Sequence, residues 1–130
     1  MTHEKRTISV IVRASQKAKG IFSRGGMTMM LLTKEILRKL PPLYSQDGKG
    51  KEATVHVKFF FPAGAATWYA TEYDPEDKLF FGWADLTGQT GEFGYFSLTE
   101  LESVKVRGLG IERDLHFKPK TLSECLATRA

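Results

Sequence analysis

Apolar and polar positions alternate most regularly between residues 53 and 61. Successive side chains of an extended chain point to opposite sides, so this spacing predicts a strand with one apolar face. The apolar face comprises Val55, Val57, Phe59 and Phe61, and the opposite face comprises Thr54, His56, Lys58 and Phe60. We expect the apolar face to lie in the core.

Two further extended segments follow at residues 67–73 and 78–86, and turn-forming residues at 62–64 and 74–77 separate the three. Such short connections predict antiparallel neighbours. Segment 78–86 carries apolar residues on both sides, so we expect it to be central and covered on both faces, or to expose an apolar patch. After a glycine-containing loop, residues 93–96 supply a fourth aromatic segment.

Helix-start patterns occur three times along the chain. Thr33 precedes a short apolar stripe that prolines at positions 41 and 42 would end. The stripe comprises Ile36, Leu37 and Leu40. Ser97 and Thr121 each stand three residues before a glutamate, which is the spacing of a capping box. Between the last two helices, residues 111–117 alternate like an edge strand that Pro119 would end.

These elements predict an α+β fold with a four- to five-stranded, mostly antiparallel meander sheet and two or three short helices. At 130 residues the chain is long enough for one domain. We assign residues 27–130 to that domain and residues 1–26 to a flexible basic extension. The extension would be a basic arm or targeting peptide, or an upstream addition, since Met27, Met29 and Met30 offer later starts.

The net charge of +4 is unevenly divided along the sequence. Residues 1–26 hold six basic residues and one acidic residue, whereas residues 27–130 carry a net charge of −1. A positive charge on the whole chain therefore gives no support for a nucleic-acid-binding domain, because that charge belongs to the extension.

Composition narrows the class of protein further. The chain is 42% hydrophobic and 26% charged, and no run approaches the roughly 20 apolar residues of a membrane span. Its single cysteine excludes an internal disulfide, and the three histidines are scattered. We expect a cytoplasmic protein with no cofactor and no metal site.

Several of these segments also carry a family resemblance. They are LLTKE at 31–35, LPPLY at 40–44, VHVKFF at 55–60, TWYATE at 67–72, FFG at 80–82, GYFSL at 94–98, ELE at 100–102 and IERDL at 111–115. In order and spacing they resemble a small bacterial family catalogued as domain of unknown function 2958. The resemblance runs from about Met30 to Pro119 and does not cover the basic extension. It implies a bacterial source and frequent carriage on plasmids and mobile elements, and it implies no catalytic residues.

The aromatic residues suggest the first functional hypothesis. Twelve of the fifteen lie between residues 59 and 96. Tryptophan and tyrosine are efficient anchors in protein interfaces. We therefore expect a non-enzymatic accessory protein that binds a protein partner through exposed rings. The rings are Trp68, Tyr69, Tyr73 and Phe80.

A second hypothesis is binding of single-stranded nucleic acid. The basic extension and Lys58 would contact phosphates, and an aromatic sheet face would stack bases. The candidate phosphate contacts are Lys5, Arg6, Arg13, Lys17, Lys19, Arg24 and Lys58. Residues 93–96 resemble the aromatic motif of RNA-recognition domains, but a basic residue and a glycine are missing ahead of the first ring, so core packing is the favoured reading.

A third hypothesis is an uncharacterised hydrolase. A histidine beside a carboxylate can act as a general base, and paired carboxylates can hydrolyse glycosides or hold an ion. The candidate residues are His56, Glu112, Asp114 and His116. The alternative for each is a solvated surface residue, and the sequence does not fix their separation.

Overall fold

Four consecutive strands form a meander in the computed structural model, which describes residues 30–128. They are β2 (Val57–Phe60), β3 (Thr67–Asp74), β4 (Leu79–Asp85) and β5 (Glu92–Ser97), with β1 (Thr54–Val55) just ahead of them. A short strand β6 (Glu112–Arg113) pairs with β2, giving a five-stranded antiparallel sheet of order β5-β4-β3-β2-β6. A last strand β7 (Lys120–Thr121) pairs with β1. The predicted α+β class is confirmed.

Three short α-helices lie within the described residues: α1 (Lys34–Lys39), α2 (Leu98–Ser103) and α3 (Leu122–Ala127). A 3-10 turn at Gly50–Glu52 precedes β1. Thr33, Ser97 and Thr121 cap the three helices as the sequence predicts, each accepting a backbone N–H three residues ahead. The expectation that Leu37 faces inward is wrong, because its side chain is 40% exposed.

Both faces of the sheet are covered. One face packs against the segment around Leu31, α2 and the chain that follows it, with Phe80 and Phe96 at the centre of the cluster. On the opposite face, Leu122 and Cys125 of α3 pack on Tyr69. Strand β4 therefore lies inside the sheet with both faces covered, which agrees with the first of the two arrangements expected for it.

The strand predicted across residues 53–61 is interrupted at His56, and its two parts face different cores. Val57 packs in the first cluster, whereas Val55 packs with Tyr69 and Leu122 on the other side of the sheet. The prediction that Val55 shares a face with Val57 is wrong. The two residues face different cores because β1 does not continue the five-stranded sheet. It pairs instead with β7, which is distant in the sequence.

Strand β3 carries an irregularity opposite this break. Its pairing with β4 shifts between Ala70 and Glu72, so one extra residue, Thr71, is accommodated. The bulge reverses the alternation and places Tyr73 in the same core as Ala70. Opposite it stands Gly82, where a Cβ atom would lie 1.9 Å from the carbonyl oxygen of Tyr69. Strands β3 and β4 therefore approach too closely at position 82 for any residue larger than glycine.

Buried polar groups attach the loop between α1 and β1 to the sheet. The carboxylate of Glu72 accepts the backbone N–H groups of Tyr44 and Gln46, each at 2.8 Å. The Gln46 amide in turn donates to the carbonyls of Thr54 and Thr71, both at 2.9 Å, and accepts the N–H of Thr54 at 2.7 Å. The side chain of Gln46 thus replaces backbone pairing where β1 and β3 separate.

Across residues 30–128, no helix combines the length and apolar character needed to cross a membrane. The basic extension assigned to residues 1–26 lies outside the described residues.

Candidate functional site

Residues 113–119 form a ridge between two clefts. The ridge begins where β6 leaves β2: the backbone N–H of Asp114 donates to the carbonyl of Lys58 at 2.9 Å. The Oδ1 atom of Asp114 then accepts the backbone N–H of His116 at 2.9 Å, which turns the chain away from the sheet. An aspartate at this position therefore shapes the ridge by hydrogen bonding to its own backbone.

On one side of the ridge lies a cleft of about 340 Å³, which we call the α1 groove. Helix α1 forms one wall, residues 113–119 form the other, and His56 and Val57 lie between them. The lining residues are Thr33, Glu35, Ile36, Lys39, His56, Val57, Arg113, Asp114, Leu115, Phe117 and Pro119. The groove combines apolar side chains with charges of both signs.

Leu115 at the rim of this groove is 64% exposed, and Met30 is 67% exposed. The two belong to the same region, since Arg113 donates a hydrogen bond to the carbonyl oxygen of Met30. Two large apolar side chains in water near one groove are more informative than exposed leucines scattered singly.

His56 is the titratable residue in the groove whose environment is most clearly perturbed. Partial burial, and to a smaller extent the positive charge of Lys39, lower the pKa of its imidazole below the ordinary value. The neutral ring is therefore favoured at neutral pH. Among the described residues, neither His56 nor His116 has its imidazole hydrogen-bonded or ion-paired to a carboxylate.

On the other side of the ridge lies a cleft of about 280 Å³, which we call the lysine cleft. Lys58 and two lysines from residues 118–120 meet there with Asp114, whose Oδ2 atom lies 3.7 Å from the ammonium of Lys58. The lining residues are Lys58, Tyr69, Asp114, His116, Phe117, Lys118, Lys120, Cys125 and Thr128. Burial raises the pKa of the Cys125 thiol, and the charges of Lys120 and Lys58 only partly oppose it, so the thiol stays protonated.

The expectation that the four candidate partner-binding rings are exposed is wrong. The exposed fractions are 4% for Trp68, 2% for Tyr69, 5% for Tyr73 and 0% for Phe80. Trp68, Tyr73 and Phe80 lie in the first core and Tyr69 in the second. The reason is that helices and loops cover both faces of the sheet, so no open aromatic face is left at these positions.

The candidate acid–base residues are brought only partly together. His56 and Asp114 line the α1 groove, while Asp114 and His116 line the lysine cleft. Glu112 pairs with Phe60 in the sheet and lines neither cleft. Asp114 therefore shares one cleft with His56 and the other with His116. Its carboxylate is not hydrogen-bonded to either imidazole, and general-base catalysis requires such a hydrogen bond.

Among the candidate nucleic-acid contacts, Lys58 lies in the lysine cleft. The other six, at positions 5–24, lie outside the described residues. Sequence reasoning missed Lys118 and Lys120, although two lysines flanking the proline that ends a predicted edge strand were a readable signal. It also missed Gln46, since nothing local marks a loop glutamine as a buried partner of two strands.

Within residues 30–128, no three histidine, cysteine, aspartate or glutamate side chains are grouped to hold a metal ion.

Comparison with known proteins identifies a family but no individual relative. Neither the search of curated proteins nor the search of solved structures finds a match. One family model matches residues 31–129, which include the whole sheet, the ridge and both clefts. The chain therefore belongs to the family described as "Protein of unknown function (DUF2958)".

Proposed function

We propose that this protein is a small, cytosolic, non-enzymatic accessory protein of a bacterial mobile element, and that it acts by binding a protein partner. The observation that carries the proposal is the exposure of Leu115 at the rim of the α1 groove. The large aromatic rings first considered for this role are interior, so a partner must use the apolar groups left at the surface.

The composition of the groove supports a protein segment as its occupant. Ile36 and Phe117 supply partly buried apolar walls, and the pair Glu35–Lys39 on α1 and the pair Arg113–Asp114 on the ridge supply both signs of charge. Apolar and charged side chains occur together in most protein interfaces. Opposite charges on each wall favour a partner segment of mixed charge over a uniformly charged polymer.

The proposal is tested by replacing Leu115 in the full-length, tagged chain and recovering bound proteins from a bacterial host that carries the gene. Leu115→Ser should strongly reduce recovery of the partner, because a large exposed apolar side chain contributes affinity when a partner buries it. Leu109→Ser is the matched control, since Leu109 is also exposed and does not line the groove. It should recover the partner as well as the unaltered chain does.

Equal recovery with Leu115→Ser would remove the groove as the interface. Recovery of no specific protein by the unaltered chain would count against partner binding altogether. Urea unfolding of both variants should stay within about 0.5 kcal/mol of the parent, since exposed side chains contribute little to stability.

Binding of single-stranded nucleic acid is a second candidate, supported by the position of Lys58 beside two further lysines. Its aromatic sheet face is not available, because the rings at Trp68, Tyr69 and Phe80 are buried. The nucleic-acid hypothesis therefore depends on the basic residues of the extension at residues 1–26. Glutamine at its six basic positions should abolish salt-dependent binding to a single-stranded oligonucleotide if this candidate is right, and no such binding by the parent chain would exclude it.

The hydrolase hypothesis receives less support than either binding hypothesis. It needs a carboxylate and an imidazole in hydrogen-bond reach, whereas Asp114 uses one oxygen for the backbone of His116 and places the other near Lys58.

A further inference from the structure

The lysine cleft gathers positive charge from two separate parts of the chain. Lys58 projects from β2, Lys120 belongs to β7, and Lys118 lies on the ridge between β6 and β7. Asp114 is the acidic residue in the lining. The carboxylate of Glu124, at the start of α3, also acts electrostatically on Lys120 and Cys125. Three lysines therefore meet two carboxylates, which leaves an excess of one positive charge.

Two of these lysines are held in place by aromatic rings. The ammonium of Lys58 lies 5.8 Å from the centre of the Tyr69 ring, and that of Lys120 lies 5.6 Å from the centre of the Phe117 ring. Both rings belong to, or pack against, the second core, so they are fixed supports. A cation resting on a buried ring loses less conformational freedom on binding an anion than a free surface lysine does.

The ion pair between Lys58 and Asp114 affects how strongly the cleft attracts an anion. At 3.7 Å the carboxylate partly neutralises Lys58, and each of the two side chains is nearly 30% exposed, so water and an incoming anion can reach the pair. An anion competes with Asp114 for Lys58, and an excess of positive charge attracts a dianion more strongly than a monoanion.

The size of the cleft limits the ligand. Its volume of about 280 Å³ lies just below the range of about 300–1,000 Å³ typical of sites for drug-sized ligands. A phosphate group with a small organic substituent fits this volume better than a dinucleotide does. Lysines also bind phosphate well, as point charges that do not require a fixed planar geometry.

We propose that the lysine cleft binds the phosphate group of a small phosphate monoester, with Lys58, Lys118 and Lys120 as its cationic contacts. The site is separate from the groove proposed for the protein partner, although the ridge at residues 114–117 forms a wall of both.

The test is a titration of the full-length, isotope-labelled chain followed by two-dimensional NMR at constant ionic strength. The probes are glycerol 3-phosphate, inorganic phosphate and, as a monoanion control, acetate. Glycerol 3-phosphate should give saturable one-to-one binding that perturbs Lys58 and residues 114–120. Acetate should not saturate.

Paired substitutions identify the contacts. Lys118→Gln combined with Lys120→Gln should weaken binding of glycerol 3-phosphate by about tenfold or more, since two of the three cations are removed. The matched control combines Lys34→Gln with Lys49→Gln, two exposed lysines outside the cleft, and should change the affinity by less than about twofold. Equal weakening by both pairs would show non-specific charge attraction and overturn the proposal.

Asp114→Asn separates a binding role from a structural one. Asparagine keeps the Oδ1 acceptor for the N–H of His116 and removes the charge that competes for Lys58. The variant should bind glycerol 3-phosphate several-fold more tightly, a direction that damage to the fold would not produce. Weaker binding in this variant, with an unchanged urea midpoint, would contradict the proposed geometry.

Two results would overturn the proposal outright. One is the absence of saturable binding of either phosphate probe. The other is tighter binding of a short single-stranded DNA with a salt dependence of several charges, because that slope reports contacts along a phosphate backbone.

Discussion

Glu72 is fully buried, and its carboxylate has a structural role. It accepts two backbone N–H groups from the loop that precedes β1, at 2.8 Å each, and it stands next to the bulge in β3. The sequence places this residue among acidic neighbours at Asp74, Glu76 and Asp77, where its burial could not be anticipated. Glu72 differs from these neighbours because the bulge in β3 turns its side chain towards the loop that precedes β1.

Glu72→Gln should lower the free energy of unfolding by about 1–3 kcal/mol, because an amide cannot accept from both N–H groups as the carboxylate does and one buried donor loses its partner. Urea denaturation measures the loss. Glu76→Gln in the exposed turn is the control, with an expected change within about 0.5 kcal/mol. Similar values for the two variants would show that the loop is not held by Glu72.

We expect His56 to make the stability of the fold depend on pH. Its pKa is lowered in the folded chain, so the unfolded chain takes up the proton first as the pH falls below the ordinary value of 6.5. Stability should therefore decrease as the pH falls from about 7, and this contribution should level off once the pH passes the lowered pKa of the folded state.

The measurement is urea denaturation of the parent chain and of His56→Gln between neutral and mildly acidic pH. The variant should lose less stability over this range than the parent. Lys39→Gln should fall between the two, because Lys39 is the smaller of the two causes of the lowered pKa. Identical pH profiles for all three would refute the assignment.

At the scale of elements, the helices follow from local sequence while two of the strands do not. Caps at Thr33, Ser97 and Thr121 act within three residues, so the sequence alone identified each helix start. Strand β7 exists because it pairs with β1, and the interruption at His56 exists for the same reason. A pairing between distant segments leaves no periodicity that a short window can detect.

Helix α3 carries a reciprocal cap that can be tested. Thr121 Oγ1 accepts the N–H of Glu124 at 3.1 Å, and the Glu124 carboxylate accepts the N–H of Thr121 at 3.0 Å. The carboxylate also accepts the Thr121 hydroxyl at 3.1 Å. The two hydrogen bonds that it accepts from Thr121, the backbone one most, lower the pKa of Glu124. Thr121→Ala removes the hydroxyl but keeps the backbone N–H, so it should cost about 1 kcal/mol of stability and should raise the Glu124 pKa only part of the way to its ordinary value.

Thr121→Ser is the matched variant, because it keeps the hydroxyl and should preserve both quantities. NMR titration of the Glu124 carboxyl and urea denaturation supply the two measurements. A Glu124 pKa that stays equally low in Thr121→Ala would mean that the Thr121 hydroxyl does not contribute to the lowered pKa.

At the scale of the whole molecule, coverage of both sheet faces decides which residues can meet a partner. An alternating strand pattern shows that rings share a face, but it does not show what packs on that face. Trp68 and Tyr69 point to opposite sides of β3, and each side has its own core. For this reason the sequence predicted the meander correctly and placed the exposed surface in the wrong part of the fold.

The clefts could be predicted in part. His56, Lys58, Asp114 and His116 were chosen individually from the sequence, and they meet because β6 returns to the edge of β2. The same return brings Lys118 and Lys120 beside Lys58. That arrangement depends on the path of the ridge, which the aspartate turn at Asp114 sets and which no spacing in the sequence specifies.

The thiol of Cys125 is buried where α3 meets the sheet, and it is the one cysteine in the sequence. Helix α3 has six residues and docks mainly through Leu122 and Cys125, so we expect it to detach before the meander unfolds. Labelling of the thiol by a disulfide reagent in dilute urea should therefore proceed faster, and with a weaker urea dependence, than global unfolding allows. Labelling that tracks global unfolding would instead show that the last helix and the sheet open as one cooperative unit. The rate of thiol labelling therefore reports how the last helix opens relative to the rest of the fold.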